Sequence, residues 1–166
     1  MAGGFVGGFI GHASDDTITE CSSSGDVFTT FGNAGGFIGR QRLTDGLDVA
    51  NCHTTSNVVF TGNGAPFNIG GFIGSAEFDV FIDSSYSAGN INVTGPSVGG
   101  FVGSRLNITF VDIYWDATTG GQPTGNQPFG VNPRTTAQMQ QQATFVGWDF
   151  TNIWDIVENA SYPFFR

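Results

Sequence analysis

The chain has 166 residues, of which 39% are hydrophobic and only 11% are charged, and it contains five Arg, no Lys and a formal net charge of -9. This length predicts one domain, or one and a fraction, with a buried core, and the apolar content excludes a disordered chain. The acidic balance excludes sequence-independent nucleic-acid binding, which needs a basic surface to displace counterions.

The first apolar stretch, AGGFVGGFIG, follows the initial Met and ends at Gly11. It is shorter than the roughly 20 residues that span a bilayer, and it lacks the charged leading region of a signal peptide. We therefore predict no membrane insertion, and the GxxxG spacing of Gly4 and Gly8 does not indicate a membrane dimer. If the protein is secreted, its signal lies outside this sequence.

A five-residue motif, GGF[IV]G, begins at Gly7, Gly35, Gly70 and Gly99, with spacings of 28, 35 and 29 residues. A further copy at Gly3 overlaps the first. Between the motifs lie short runs of Val, Ile, Phe and Thr bounded by turn residues, which predicts about three short strands per repeat. Repeats of this length favour an all-β, right-handed parallel β-solenoid of about four coils over a propeller.

In a solenoid, equivalent side chains of successive coils stack at the strand spacing. The motif predicts one core ladder of phenylalanines: Phe9, Phe37, Phe72 and Phe101. A second predicted ladder contains thiols and phenols: Cys21, Cys52, Tyr86 and Tyr114.

The residue after each motif Phe raises an open question, because adjacent residues of a regular strand point to opposite faces. Either the glycines bend the strand so that both side chains turn inward, which we favour, or an apolar stripe lies outside and marks an interface. The residues concerned are Ile10, Ile38, Ile73 and Val102.

The chain after the repeats differs in composition. A Pro-rich loop precedes RTTAQMQQQAT, which predicts one short helix, and aromatic residues follow it. We therefore divide the chain into solenoid repeats at 1–118 and a loop, short helix and aromatic cap at 119–166. The cap is expected to cover the last open coil, because a solenoid needs a terminal element.

The repeated GGF[IV]G, together with YSAGNINVTG at Tyr86–Gly95 and tail segments such as YWDATTGG and SYPFFR, resembles the GLUG-motif repeat of bacterial surface proteins, including filamentous-haemagglutinin-like adhesins. The resemblance implies a secreted or cell-surface β-solenoid with an adhesive or architectural role and no catalytic residues. Here Phe replaces the usual Leu after the glycine pair.

For each group of residues that suggests a chemical site, a structural role is the simpler interpretation. Cys52-His53 and His12 do not share a predicted face, so a zinc or catalytic site is disfavoured. A Cys21–Cys52 disulfide stays open. The acids around Asp15-Asp16 and Asp45-Asp48 could hold calcium, but they are more simply turn formers. The glycine motifs precede no helix and have no Lys, so we predict no phosphate loop and no cofactor.

We therefore predict a non-enzymatic extracellular or cell-surface module that adheres or assembles, with self-association or a surface glycan or protein as its partner. A strand edge at the N-terminus would present unpaired backbone for end-to-end stacking into a filament. The residues of this possible assembly edge are Gly3, Gly4, Phe5, Val6, Phe9 and Ile10. The alternatives are a carbohydrate-binding or glycan-cleaving solenoid and a virion or fibre component.

Overall fold

The structure is a computed structural model that describes residues 4–14, 16–41, 46–120 and 131–166. It is an all-β solenoid of about four coils, each stacked on the next through parallel strand pairs. Coil 1 contains β1 Val6–Gly7, β2 Ile10–Ala13, β3 Asp16–Thr19, β4 Ser22–Ser23 and β5 Asp26–Thr29. Coil 2 contains β6 Ala34–Gly35, β7 Ile38–Gln41, β8 Leu47–Ala50, β9 His53–Thr54 and β10 Asn57–Phe60.

Coil 3 contains β11 Ile69–Gly70, β12 Ile73–Ala76, β13 Val80–Asp83 and β14 Tyr86–Ser87. Coil 4 contains β15 Val98–Gly99, β16 Val102–Arg105, β17 Ile108–Val111 and β18 Ile113–Asp116. The parallel solenoid predicted from the repeats is confirmed. Each coil carries four or five short strands in the described residues rather than about three, because sharp corners divide its sides.

One corner in every coil is formed by a residue in the left-handed backbone region, directly after the third strand. These residues are Glu20, Asn51, Ser84 and Asp112, with φ between 44° and 52°. Asparagine and aspartate adopt this conformation at lower cost than other residues that carry a Cβ. A second corner uses Asn33 and Asn68, where the Asn68 amide donates a 2.9 Å hydrogen bond to the Asn33 side chain.

The GGF[IV]G segment forms another corner, at which both apolar side chains turn inward. Phe37, Ile38, Phe72 and Ile73 are all fully buried. The favoured bend is therefore what the structure shows, and no exposed stripe runs along this side. The motif glycines are needed for close approach: a Cβ atom on Gly71 would overlap the carbonyl oxygen of Gly100 in the next coil.

The C-terminal segment continues from coil 4 and then packs against the side of the solenoid. Its elements are α1 Ala117–Gly120, β19 Val131–Arg134, α2 Thr136–Met139, a 3₁₀ turn at Gln142–Thr144, β20 Trp154–Asp155 and β21 Phe164–Phe165. Strand β19 pairs with β18 and so extends the sheet β4-β9-β14-β18. Helix α2 begins with a capping box between Thr135 and Gln138, within the predicted short helix.

The expectation that the aromatic residues after α2 cover the last coil is wrong. They lie along the outer face of the β9-β14-β18 sheet. The Trp154 indole N–H donates to the Asn51 side chain in coil 2 at 3.2 Å. The Trp148 indole N–H donates to the Asp112 carbonyl oxygen in coil 4 at 3.0 Å. We call this layer the flank cluster: Tyr86, Ala88, Tyr114, Met139, Phe145, Trp148 and Trp154.

Candidate functional site: the coil-1 end

The four motif phenylalanines form one continuous ring stack through the solenoid. Ring centroids lie 4.7 Å apart for Phe9–Phe37, 4.8 Å for Phe37–Phe72 and 4.7 Å for Phe72–Phe101. The three inner rings are fully buried, whereas Phe9 is 44% exposed. The stack therefore ends at coil 1 with an aromatic face open to solvent.

The backbone of coil 1 is open as well. Within the described residues, each of β1 to β5 is the outermost strand of its sheet. Of the predicted edge residues, Gly4 and Phe9 are exposed, whereas Phe5, Val6 and Ile10 are half-buried. Gly3 lies outside the described residues. The structure thus places these residues together at one end of the solenoid, which we call the coil-1 end.

Phe5 covers a part of this end. Its ring lies 5.5 Å from the His12 ring, and the Arg40 guanidinium carbon lies 5.0 Å above it. Arg40 also forms a cross-coil ion pair with Glu77. Phe5 therefore shields the outer side of β2 but leaves the Phe9 ring uncovered.

The opposite end of the solenoid has a different chemistry. The Phe110 ring meets Phe101 edge-on, with a centroid distance of 5.9 Å and an interplanar angle of 89°. Trp115 is fully buried, and its ring occupies the space beside Gly100. Coil 4 thus covers the last ring of the Phe stack with its own side chains, and sequence reasoning assigned no such role to Phe110 or Trp115.

The second predicted ladder is wrong by one residue in coils 3 and 4. Tyr86 pairs with His53 and with Tyr114, so Cys52 lies opposite Ser85 rather than Tyr86. Asn90 follows Tyr86 by four positions, whereas Asn57 follows Cys52 by five, and the Asn pair has the true register. Because neighbouring strand residues face opposite sides, Cys52 enters the solenoid core while Tyr86 and Tyr114 enter the flank cluster.

Both cysteines are free thiols in this structure. Cys21 is partly buried and donates to the Thr19 carbonyl oxygen at 3.2 Å, while Cys52 is fully buried and donates to the Ala50 carbonyl oxygen at 3.3 Å. Burial raises the pKa of the Cys52 thiol to about 12. Such a thiol stays protonated at physiological pH, whereas nucleophilic and metal chemistry need the thiolate.

His53 belongs to the flank side, away from the Cys52 thiol. Its ring stacks on Tyr86 at 5.0 Å and lies 4.9 Å from Phe165 and 5.7 Å from Trp154. Burial lowers the pKa of His53 to about 4, so the imidazole is neutral at physiological pH. Its buried Nδ1 has no hydrogen-bond partner. The environment is an aromatic packing site rather than a catalytic dyad.

Acidic residues are dispersed over the solenoid. Asp79 and Asp112 occupy left-handed corners, in agreement with a turn-forming role. In the parts of the chain that the structure describes, no group of three or more His, Cys, Asp and Glu residues could hold a metal ion. The proposed calcium ligands Asp15 and Asp45 lie outside those parts.

A shallow groove of about 220 Å³ lies on the outer face of β5 and β10, lined by Asp26, Asn57, Val58, Val59, Asn90 and Asn92. Its amides largely bind one another: Asn57 Nδ2 donates to Asp26 at 2.8 Å, and Asn57 Oδ1 accepts from the Asn90 backbone N–H at 3.0 Å. The Asn92 side chain bonds both backbone groups of Phe60. The groove therefore offers one acid and no lining aromatic ring.

The fold and the repeated corners define the class of protein, a parallel β-solenoid built from repeats. Residues 2–27 match the family model described as the GLUG motif, which confirms the resemblance recognised from the sequence. Halomucin from Haloquadratum walsbyi (strain DSM 16790 / HBSQ001) is 39% identical over 71 residues, which are 42% of this chain. The chain spans about 1% of the length of that relative.

No solved structure matches this chain significantly. Across the described residues, the helices are too short and too polar for any of them to traverse a lipid bilayer.

Proposed function

We propose that this chain is a non-enzymatic structural module of a cell surface that makes end-on contacts through coil 1. The GLUG match and the similarity to Halomucin support the coarser part, a structural module at a cell surface. The observation that supports the end-on contact is the Phe stack, in which three rings are fully buried and the Phe9 ring is 44% exposed.

The energetic reason lies in the unfinished contacts of coil 1. Edge strands present unpaired N–H and C=O groups, which natural proteins usually cover or pair. An aromatic ring of which one face is already stacked also gains area burial and stacking free energy from a second ring. Outermost strands also lie at coil 4, namely β15, β16 and β17, so the exposed Phe9 ring is what favours the coil-1 end.

Labelling of single cysteines on intact cells tests both parts. Phe9→Cys places a thiol at the coil-1 end, and Phe81→Cys places a matched thiol on the side of the rod, where Phe81 is 40% exposed. We expect a membrane-impermeant maleimide to label Phe81→Cys on intact cells and in the purified protein. We expect it to label Phe9→Cys in the purified protein but much more slowly on cells.

The surface location and the end-on contact would be refuted by different results. An unlabelled Phe81→Cys on intact cells would refute the surface location. Equal labelling rates of Phe9→Cys on cells and in solution would refute the end-on contact. The unmodified protein gives the background from Cys21, which is partly exposed.

A glycan-binding solenoid stays the alternative. Its natural site would be the groove on β5 and β10, beside Phe28, which is 61% exposed. Glycan binding that is lost in Asp26→Ala or Phe28→Ser, and kept in Phe81→Ser, would favour it. The mutual hydrogen bonding of the groove amides makes it the weaker candidate.

A further inference from the structure

We propose that Cys21 and Cys52 form a disulfide when the protein meets a small-molecule disulfide, and that this bridge fastens coil 1 to coil 2. The structure shows the reduced form of the pair. The inference goes beyond the proposed function and does not rest on the end-on contact. It rests on the register of the two thiols, on their unequal exposure and on the place of coil 1 in the rod.

The backbone places the two cysteines opposite each other in adjacent coils. Ser22 pairs with His53, and the His53 N–H donates to the Cys21 carbonyl oxygen at 3.0 Å. Neighbouring strands of a sheet are about 4.8 Å apart, and a disulfide tolerates Cα separations of roughly 4.4 to 6.8 Å. The separation of these two coils therefore suits a disulfide.

The side chains of both cysteines point towards the solenoid core. Cys52 belongs to the buried core, and Cys21 packs against it. The Cys52 Sγ lies 3.6 Å from the Ile18 carbonyl oxygen of coil 1, so it is directed towards the neighbouring coil. Opposite side chains of a parallel pair run side by side, so one of them has to rotate to form a bridge. Cys21 is the one that can rotate, because its only side-chain hydrogen bond, to the Thr19 carbonyl oxygen, is exposed to water.

The exposure of the two thiols sets the order of the reaction. Cys21 is partly exposed, whereas Cys52 is fully buried. The Cys21 thiolate attacks one sulfur of the small disulfide, whose S–S bond breaks, and a mixed disulfide forms at Cys21. The departing thiolate takes up the proton that Cys21 released. The Cys52 sulfur then attacks the Cys21 Sγ, and the second small thiol leaves with the proton of Cys52. Two protein thiols are thereby oxidised, and one small disulfide is reduced to two thiols.

The buried thiol reacts in this scheme only with the sulfur of its neighbour. Burial raises the pKa of Cys52 to about 12 and keeps external reagents away from it. The second step is nevertheless favoured, because a reaction between groups held together in one molecule has a large effective concentration. An alkylating reagent stops at Cys21, since a thioether has no S–S bond for Cys52 to attack.

Coil 1 is the coil that gains most from such a bridge. The flank cluster contacts coil 2 through Asn51, coil 3 through Tyr86 and coil 4 through Tyr114. Among the described residues, no ring contact or hydrogen bond joins this cluster to coil 1. Cys52 directly follows Asn51, so the bridge would link coil 1 to a position that the flank cluster already holds.

The other coil junctions have no pair of thiols. The residue opposite Cys52 is Ser85 in coil 3 and Ile113 in coil 4, as the pairing of the next residues shows. The Ser85 hydroxyl donates to the Asp83 carbonyl oxygen, two residues back, as both thiols do in their own coils. The position is therefore equivalent in coils 1 to 3, and thiols occupy it only at the junction that the flank cluster does not span.

Peptide mapping of the reduced full-length chain after treatment with oxidised glutathione tests the bridge. The reaction is stopped with acid, remaining thiols are alkylated in denaturant, and trypsin is added without reductant. Arg40 and Arg42 lie between the cysteines, so Cys21 is in the peptide that ends at Arg40 and Cys52 is in the peptide 43–105. We expect these two peptides to be linked in monomeric protein, with no glutathione on either cysteine.

Hydrogen exchange tests the effect on coil 1. The amides of Glu20, His53 and Thr55 donate across the junction of coils 1 and 2 at 3.0 to 3.2 Å. We expect them to exchange at least about tenfold more slowly in the linked protein than in the reduced protein. The Tyr114 amide donates to coil 3 and should show no such change, which makes it the internal control.

The matched control variant combines Cys21→Ser with Ser22→Cys. It keeps one exposed thiol, but on the opposite face of the strand, so it should take up glutathione at position 22 without linking the two peptides. A linked pair in this variant would overturn the role of register. In the parent, a glutathione adduct alone or a Cys21–Cys21 link between two chains would overturn the bridge. Unchanged exchange at Glu20, His53 and Thr55 in the linked protein would overturn its effect on coil 1. All of these measurements use purified protein, so they are independent of the cell-labelling result.

Discussion

The hydroxyl group of Tyr162 donates a 2.7 Å hydrogen bond to the carboxylate of Asp116, which is only 1% exposed. The same carboxylate accepts the Thr136 hydroxyl at 2.7 Å and the backbone N–H groups of Thr118 and Thr119. Asp116 thereby links the end of β18, helices α1 and α2, and the segment that precedes β21. Four donors compensate the desolvation of this buried charge.

Replacing Tyr162 by Phe should lower the free energy of unfolding by about 1.5 to 3 kcal/mol, the usual contribution of a hydrogen bond to a charged group. Burial raises the pKa of Tyr162 to about 12, so the hydroxyl remains a donor at all ordinary pH values. Urea denaturation measures the change. Asp149→Asn is the control, because that carboxylate accepts hydrogen bonds from its own turn, at Thr151 and Asn152. Equal effects of both variants would refute the role of Asp116.

Stability should decrease as the pH falls from about 6.5 towards 4, through His53. The folded-state pKa is lowered to about 4 by burial, so below pH 6.5 the unfolded chain takes up the proton first. The contribution of His53 is therefore complete above pH 6.5 and is lost on acidification, by roughly 3 kcal/mol at most. Thermal unfolding of the parent and of His53→Phe across this pH range isolates the contribution of His53. The carboxylates are common to both proteins, so their titration cancels in the difference. Parallel pH profiles would contradict the prediction.

Gly71→Ala should destabilise the protein by more than about 3 kcal/mol or prevent folding, because the new methyl group would overlap the Gly100 backbone, which cannot move without separating two coils. Gly64→Ala is the matched control, as a Cβ atom there meets nothing within 4 Å. Circular dichroism in urea compares the two variants. Similar midpoints would show that the coils can separate more easily than the structure implies.

A thiol reagent should modify one cysteine in the native protein and two in denaturant. Cys21 is partly exposed, whereas Cys52 is fully buried and burial raises the pKa of its thiol to about 12. Thiolate formation controls the rate, so Cys52 should react only on unfolding. Cys21→Ser should abolish native labelling. Absence of reactive thiols even in denaturant would instead reveal a disulfide.

The repeat units were predictable from the sequence because their chemistry is local. GGF[IV]G marks each corner, and the stacked rings of Phe37 and Phe72 follow from the motif alone. The Cys52 register was not fixed in this way, because no glycine stands beside it and the residue opposite it in coil 3, Ser85, has neither a thiol nor a ring. The left-handed corner at Glu20 was also invisible, since glutamate is not typical of that conformation.

The position of the C-terminal segment could not be derived from sequence. Its aromatic content predicts a covering layer, but both the end and the side of a solenoid are surfaces that such a layer could cover. The contact that decides between them joins Trp154 to Asn51, 103 positions apart in the chain. Phe110 and Trp115 close the end instead, and they resembled ordinary strand residues in the sequence.

The flank cluster has a mechanical consequence. Its hydrogen bonds and ring contacts reach coil 2 through Asn51, coil 3 through Tyr86 and coil 4 through Tyr114. None of these bonds and ring contacts involves a described residue of coil 1, so a pulling force applied at the N-terminus would separate coil 1 from coil 2 in a first, weaker step. Coils 2 to 4, which the flank cluster joins, would then unfold together at a higher force. Mechanical unfolding would therefore show two steps, a weak one for coil 1 and a strong one for the rest.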